Sequence, residues 1–335
     1  MTEPCSLVEG ERSGWRALTL RNGCIEVGIL PGKGCEIASF RDRSNGVEVL
    51  FQAPWGLQPP GSAAREGADG MEFLRNYGGG WQELLPNCND ACGYRGVQLP
   101  FHGEVATVPW AVETSEDDEA VELIGRVQCS RTPFSLERRM RIERGSPVLT
   151  LRERVENVSG EAHHLVWGHH CVVGPPFLEA GCRLHAAART IVTLPEAWED
   201  TARLAPGQRE PWPHALLRDG GRSDLRDVPG PEAGSHDDVF LSDLEDGTVA
   251  VENPRLGRTF RLRFDETLFR CLCTWQPYGG AHALPLAGSY ALGIEPWVAP
   301  GNLAQALAAG EAVELAGGAA LETTLTAAIE GGPVA

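Results

Sequence analysis

Lysine is almost missing from this sequence: of 335 residues, Lys33 is the only one. Schiff-base chemistry would have to run through that single amine. Positive charge is scarce altogether, with 29 Lys and Arg against 46 Asp and Glu and a formal charge of −17. No Lys/Arg cluster of the kind that a nucleic-acid backbone or an anionic membrane rewards is present, so neither is expected as a partner. No run of about 18 uncharged apolar residues exists to cross a bilayer as a helix. The first thirty residues lack a basic start leading into an apolar core and a cleavage site, which predicts a soluble, cytoplasmic protein. Glycine-rich phosphate loops are absent as well.

What the chain does hold is a globular composition, 42% apolar and 22% charged. Its ten cysteines are scattered along a long chain without an export signal, so free buried thiols are expected and not disulfides. Cys88, Cys92, Cys271 and Cys273 could supply four thiolates, but Cys271 and Cys273 lie in RCLCTW, a strand that puts both on one face. They read as small core residues, and no metal is expected.

Apolar and polar residues alternate with the period of strands over 16–21, 24–30, 105–113, 120–128, 136–143 and 148–156. The pattern returns over 261–264, 268–275, 289–295 and 320–329. Helix is predicted only over 302–309 and 193–203. Strands at this spacing imply an all-β protein, a large antiparallel β-sandwich or barrel, in a single domain over 1–335. Two loop-rich stretches, 54–100 and 205–235, interrupt it, and long loops in a compact fold usually carry function.

Three segments combine ionisable groups with unusual neighbours: LPFHGE around His102, WGHH at 167–170, and GIEPW around Glu295. Alternation along 165–173 puts Trp167 and His169 on one face and Gly168 and His170 on the other. The bulkier set is expected in the core, which favours His170 over His169 for a site and leaves the doubled histidine open. Likewise Ala291, Gly293 and Glu295 share a face, with small residues beside a carboxylate. Trp81 and its fellows offer flat apolar faces on which a sugar can stack.

In their order, these segments resemble the aldose 1-epimerase (galactose mutarotase) family and its hexose-6-phosphate epimerase relatives, over almost the whole chain. The opening LTLRNGCIEVGILPGKGCEIASF, the glycine-rich GGGWQELLPN with LPFHGEVATVPW, RVENVSGEAHHLVWGHH, HDDVFLSD, GIEPW and the closing LAAGEAVELAGGAALETTL carry the likeness. After the His pair the chain departs from the family, continuing into CVVGPP. The resemblance implies the galactose mutarotase-like supersandwich. It also implies a small-molecule sugar substrate, interconversion of its α and β anomers and no cofactor. Glu295 would be the general base and His170 the general acid. His102, Asp237 and Arg75 would hold sugar oxygens, with His169, Trp81 and Gln82 further candidates. A carboxylate beside the imidazole is expected to raise the pKa of His170 while Glu295 stays ionised. Other readings on the same scaffold are an epimerase for a phosphorylated or sulfonated sugar, using Arg75, Arg95, Arg131 or Arg183, and a carbohydrate-binding protein without turnover.

Overall fold

The computed structural model describes residues 3–62 and 71–332. Strands dominate it, as the alternation requires: in Phe134–Glu143 every second side chain is buried, from Phe134 through Leu136, Arg138 and Met140 to Ile142. Among the described residues the strands form a 13-stranded and an 8-stranded sheet, with three two-stranded ribbons. Neighbouring strands pair antiparallel throughout, and the two large sheets pack face to face, Phe40 of one against Phe260 of the other at 5.2 Å between ring centroids. This is the large antiparallel β-sandwich that the alternation predicts. No described helix is long and apolar enough to cross a membrane.

The longer sheet positions the site. Near its middle, Trp81–Leu84, Gly168–Val173, Glu295–Trp297, Cys271–Tyr278 and Ser235–Ser242 lie side by side in that order, though they come from opposite ends of the chain. In the shorter sheet, Ala320–Gly331 lies between Val148–Asn157 and Arg258–Arg263.

Several elements differ from the sequence expectations; the strand read over 289–295, for one, is broken into Leu292–Gly293 and Glu295–Trp297. The strand read over 105–113 runs instead over Ala111–Glu116, because the preceding turns are fastened by the Trp110 indole to the Val105 carbonyl at 2.9 Å. No helix forms over 193–203; Glu199 in that stretch accepts backbone N–H groups of His282 and Ala283, which ties it across space as an irregular loop. A short helix, Glu72–Asn76, appears in the stretch read as loop. The helix expected over 302–309 is present at Leu303–Ala309, closed by an Asn302/Gln305 capping box and by Gly310 at φ 70°.

Candidate functional site

Four adjacent strands build the floor of a pocket of about 610 Å³ on the face of the longer sheet that points away from its partner. Strand alternation selects the residues: His170, Glu295, Trp275 and Asp238 stand on that face. The rim comes from loops, with Phe73 and Tyr77 around the short helix, His102 in its turn, and Trp198 and Leu286 opposite. Aromatic walls with a few convergent polar groups suit a small organic ligand. No arginine or lysine lines the pocket among the described residues.

At the centre, His170 Nε2 lies 3.8 Å from Glu295 Oε1. Glu295 is almost fully buried, and its carboxyl lies over Gly293, where a Cβ would stand 2.3 Å from Oε1. The small residue beside the carboxylate therefore makes room for that carboxylate itself. Gly168 works the same way for Trp297, whose ring would be 2.7 Å from a Cβ at position 168, so the indole fills the notch beside His170.

Burial governs the charges. It pushes Glu295 well above the usual carboxylate range, with the Asp238 carboxylate adding to the rise and a hydrogen bond from Trp297 opposing it. Burial also pulls His170 down to about 3. Both directions run against the sequence expectation of an ionised Glu295 beside an imidazolium: desolvation penalises each charge more than the partner, at 3.8 Å, repays. Burial thus disfavours the charged form of both members of the pair. Asp238, in turn, is raised to about 6 by burial, against the pull of His236.

His102 sits in a tight turn with φ 59°, and Gly103 follows at φ 81°, where a Cβ would strike the Leu85 carbonyl at 2.3 Å. The Asn89 backbone N–H donates to His102 Nδ1 at 3.0 Å. Burial, reinforced by His170, holds the ring well below its ordinary pKa. Its one proton is therefore on Nε2, which leaves His102 a donor at that atom.

Other candidates lie elsewhere. Asp237 points away from the pocket and accepts from Arg203 Nε at 3.1 Å and the Leu204 N–H at 3.0 Å, fastening the 203–204 segment. Adjacent strand residues cannot share a face, and Asp238, which alternation groups with His236 and Phe240, takes the pocket side. Gln82 is buried and committed to Glu36 at 2.9 Å and the Gly79 carbonyl at 2.7 Å. Arg75 is on the Glu72–Asn76 helix but not among the residues lining the pocket, and the same holds for Arg95, Arg131 and Arg183. Lys33 is buried against Glu36 and is not among the residues lining the pocket.

His169 and Trp81 face the opposite side, between the sheets. There Arg138 pairs with Glu83 and, at 2.7 Å, with Glu153, while His169 Nε2 lies 3.2 Å from Glu153. The Trp81 indole donates to His169 Nδ1 at 3.2 Å and the Trp167 indole donates to Glu83. Although burial opposes it, His169 and Arg138 hold Glu153 down at about 2. Glu83, Glu153 and His169 bring three potential metal-ligand atoms within 4.8 Å of one another. The Arg138 guanidinium already supplies the positive charge between the carboxylates, so the donor set fits an ion-pair cluster and not a cation site.

Sequence reasoning missed Asp238, His236 and the rim aromatics. The Asp pair gave no way to tell which member faced out, and Trp198, 40% exposed, lies in the 193–203 stretch expected as helix and found as a loop.

The family model described as "Domain of unknown function (DUF4432)" matches residues 12–329. No curated protein matches the sequence significantly. Among solved structures, a Klebsiella pneumoniae protein provisionally described as an aldose 1-epimerase is similar at 17% identity and a TM-score of 0.74, over 96% of this chain and 81% of the other. A galactose mutarotase-like protein from Clostridium acetobutylicum is also 17% identical, with a TM-score of 0.65 over 98% and 99% of the two chains. A galactose mutarotase related enzyme from Lactobacillus acidophilus reaches 0.62 at 17% identity, over 94% and 97%. At these identities the likeness is one of fold.

Proposed function

This chain belongs to the family described as a domain of unknown function (DUF4432), and from that premise we propose that it is an isomerase of the aldose 1-epimerase type acting on an uncharged sugar. The observation that carries the reading is the buried pair Glu295 and His170, 3.8 Å apart in a pocket of about 610 Å³.

The chemistry follows from one shared proton. Opening a cyclic hemiacetal removes the proton of the anomeric hydroxyl and adds one to the ring oxygen; both oxygens are bonded to the same carbon. An acceptor and a donor a few ångströms apart can serve them together. As Glu295 carboxylate with His170 imidazolium, the pair takes the hydroxyl proton at Glu295 and protonates the ring oxygen from His170. Before substrate arrives, burial favours the uncharged form of both groups. Hydroxyl groups of the bound sugar donate to that carboxyl, stabilise its charge and favour transfer of the proton to the imidazole. Rotation about C1–C2 in the open aldehyde presents its other face, and reclosure reverses both transfers. His102 Nε2–H donates to a sugar oxygen, Asp238 accepts from a hydroxyl, and Trp275 offers an apolar face to the ring.

Two carboxyls and, among the described residues, no arginine or lysine in the pocket lining favour a neutral sugar over a phosphorylated or sulfonated one. A purely binding role is less favoured, because a binder has no need of a matched donor and acceptor.

The test is the rate of α–β anomer exchange by NMR saturation transfer across common aldoses. Acceleration that Glu295→Gln abolishes supports the assignment; tight binding of a sugar without acceleration removes it. A preference for hexose phosphates would replace the neutral substrate by an anionic one.

A further inference from the structure

The strand carrying His170 and the strand carrying Glu295 are joined by a ladder with one rung missing. Ile294 N–H donates to the Cys171 carbonyl at 2.9 Å and Val298 N–H to the Trp167 carbonyl at 2.8 Å. Gly168 pairs with Trp297 in the same register. That register sets residue 296 opposite residue 169, where the next N–H should donate to the His169 carbonyl. Residue 296 is proline and has no N–H. The Trp297 indole turns in instead and donates its Nε1–H to the His169 carbonyl at 3.3 Å.

Three further observations converge on this atom. Gly168 clears the space for the ring, since a Cβ there would lie 2.7 Å from it. Trp297 also belongs to the same short strand as Glu295, two residues along. The other end of residue 169, its imidazole, is locked between the sheets by Trp81, Glu83 and Glu153. One N–H thus ties the strand of Glu295 to the main chain next to His170.

Resting on the mutarotase reading above, we propose that Trp297 is a positioning residue for the proton-transfer pair, its indole N–H replacing the rung that Pro296 cannot supply and fixing Glu295 against His170. A misplacement of about 1 Å can cost on the order of 100-fold in rate, so a single donor at this place governs turnover although it transfers no proton.

Trp297→Phe tests this by keeping the ring and deleting the N–H. The expected result is a folded protein whose kcat falls about 10- to 100-fold while KM stays within about twofold. The pH limb on which Glu295 loses its proton should move upward, because Trp297 opposes the rise in that carboxyl's pKa. The His170 ring resonances in a 15N-histidine spectrum should shift. An unchanged kcat with unmoved His170 resonances overturns the proposal, and so does a rise in KM alone, which would make Trp297 a sugar contact only. Pro296→Ala/Trp297→Phe returns a backbone donor to the His169 carbonyl and should recover part of kcat; no recovery overturns the proposal, and this variant serves if the single one does not fold. Should the wild type exchange the anomers of no aldose, the mutarotase reading fails, and the His170 resonances alone decide this one.

Discussion

Glu295 and His170 each occupy a place that burial makes unfavourable for their charged form, and the cost has a sign that experiment can read. The folded pKa of Glu295 lies above its ordinary value. Above the ordinary carboxylate pKa the unfolded chain has released a proton that the native state still holds, so this residue's contribution falls as pH rises through that window. Glu295→Gln should therefore lose roughly 100-fold or more in activity and yet melt at the same or a higher temperature at neutral pH, measured by calorimetry. For His170, lowered to about 3, the contribution falls instead as pH drops from the ordinary imidazole value toward that figure. Asp238 acts on the pair from a distance: its carboxylate helps to hold Glu295 up. Asp238→Asn should lower the pKa of Glu295, and the alkaline limb of the pH–rate profile should move down, the opposite of the shift expected from Trp297→Phe. At this scale the sequence was legible where alternation and small neighbours coincide, as at His170 and Glu295. It was illegible where solvation decides: the doubled aspartate offers two equal candidates, and no pattern reveals that desolvation outweighs the attraction between Glu295 and His170.

Among the elements, strands were readable because every second residue contacts the same layer, as in Phe134–Glu143. The 193–203 segment was misread as helix because its alanine and acidic residues favour one locally, whereas Glu199 finds His236 Nδ1 at 3.0 Å and two backbone donors far along the chain. Tertiary partners override a propensity of that size. The Leu303–Ala309 helix, by contrast, was legible from its ends. Asn302 accepts from the Gln305 N–H at 3.0 Å, and the Gln305 side chain accepts from the Asn302 N–H at 2.9 Å. Asn302→Ala should cost about 0.5–2 kcal/mol in chemical denaturation and leave turnover unchanged, since this helix lines no part of the pocket.

At the scale of the whole molecule, the longer sheet works on both faces. One carries the pocket, and the other is pinned to the shorter sheet by Arg138, Glu83, Glu153 and His169. Breaking such a cluster leaves buried charge unpaired: Arg138→Met should destabilise by roughly 3–5 kcal/mol, read from denaturant midpoints. None of this cluster was foreseeable as a unit, because its members are polar residues at core parity and only the packed sheets reveal their neutralisation. Strand order has a consequence for how the molecule comes into being. The partners of Val148–Asn157 and Gly168–Val173 include Ala320–Gly331 and Glu295–Trp297, made long afterwards. During synthesis, then, the middle of each sheet waits as an open seam until its late strand is made. The pocket cannot close before Glu295–Trp297 emerges, and a nascent chain halted shortly before residue 295 would hold His170 with nothing to exchange a proton with.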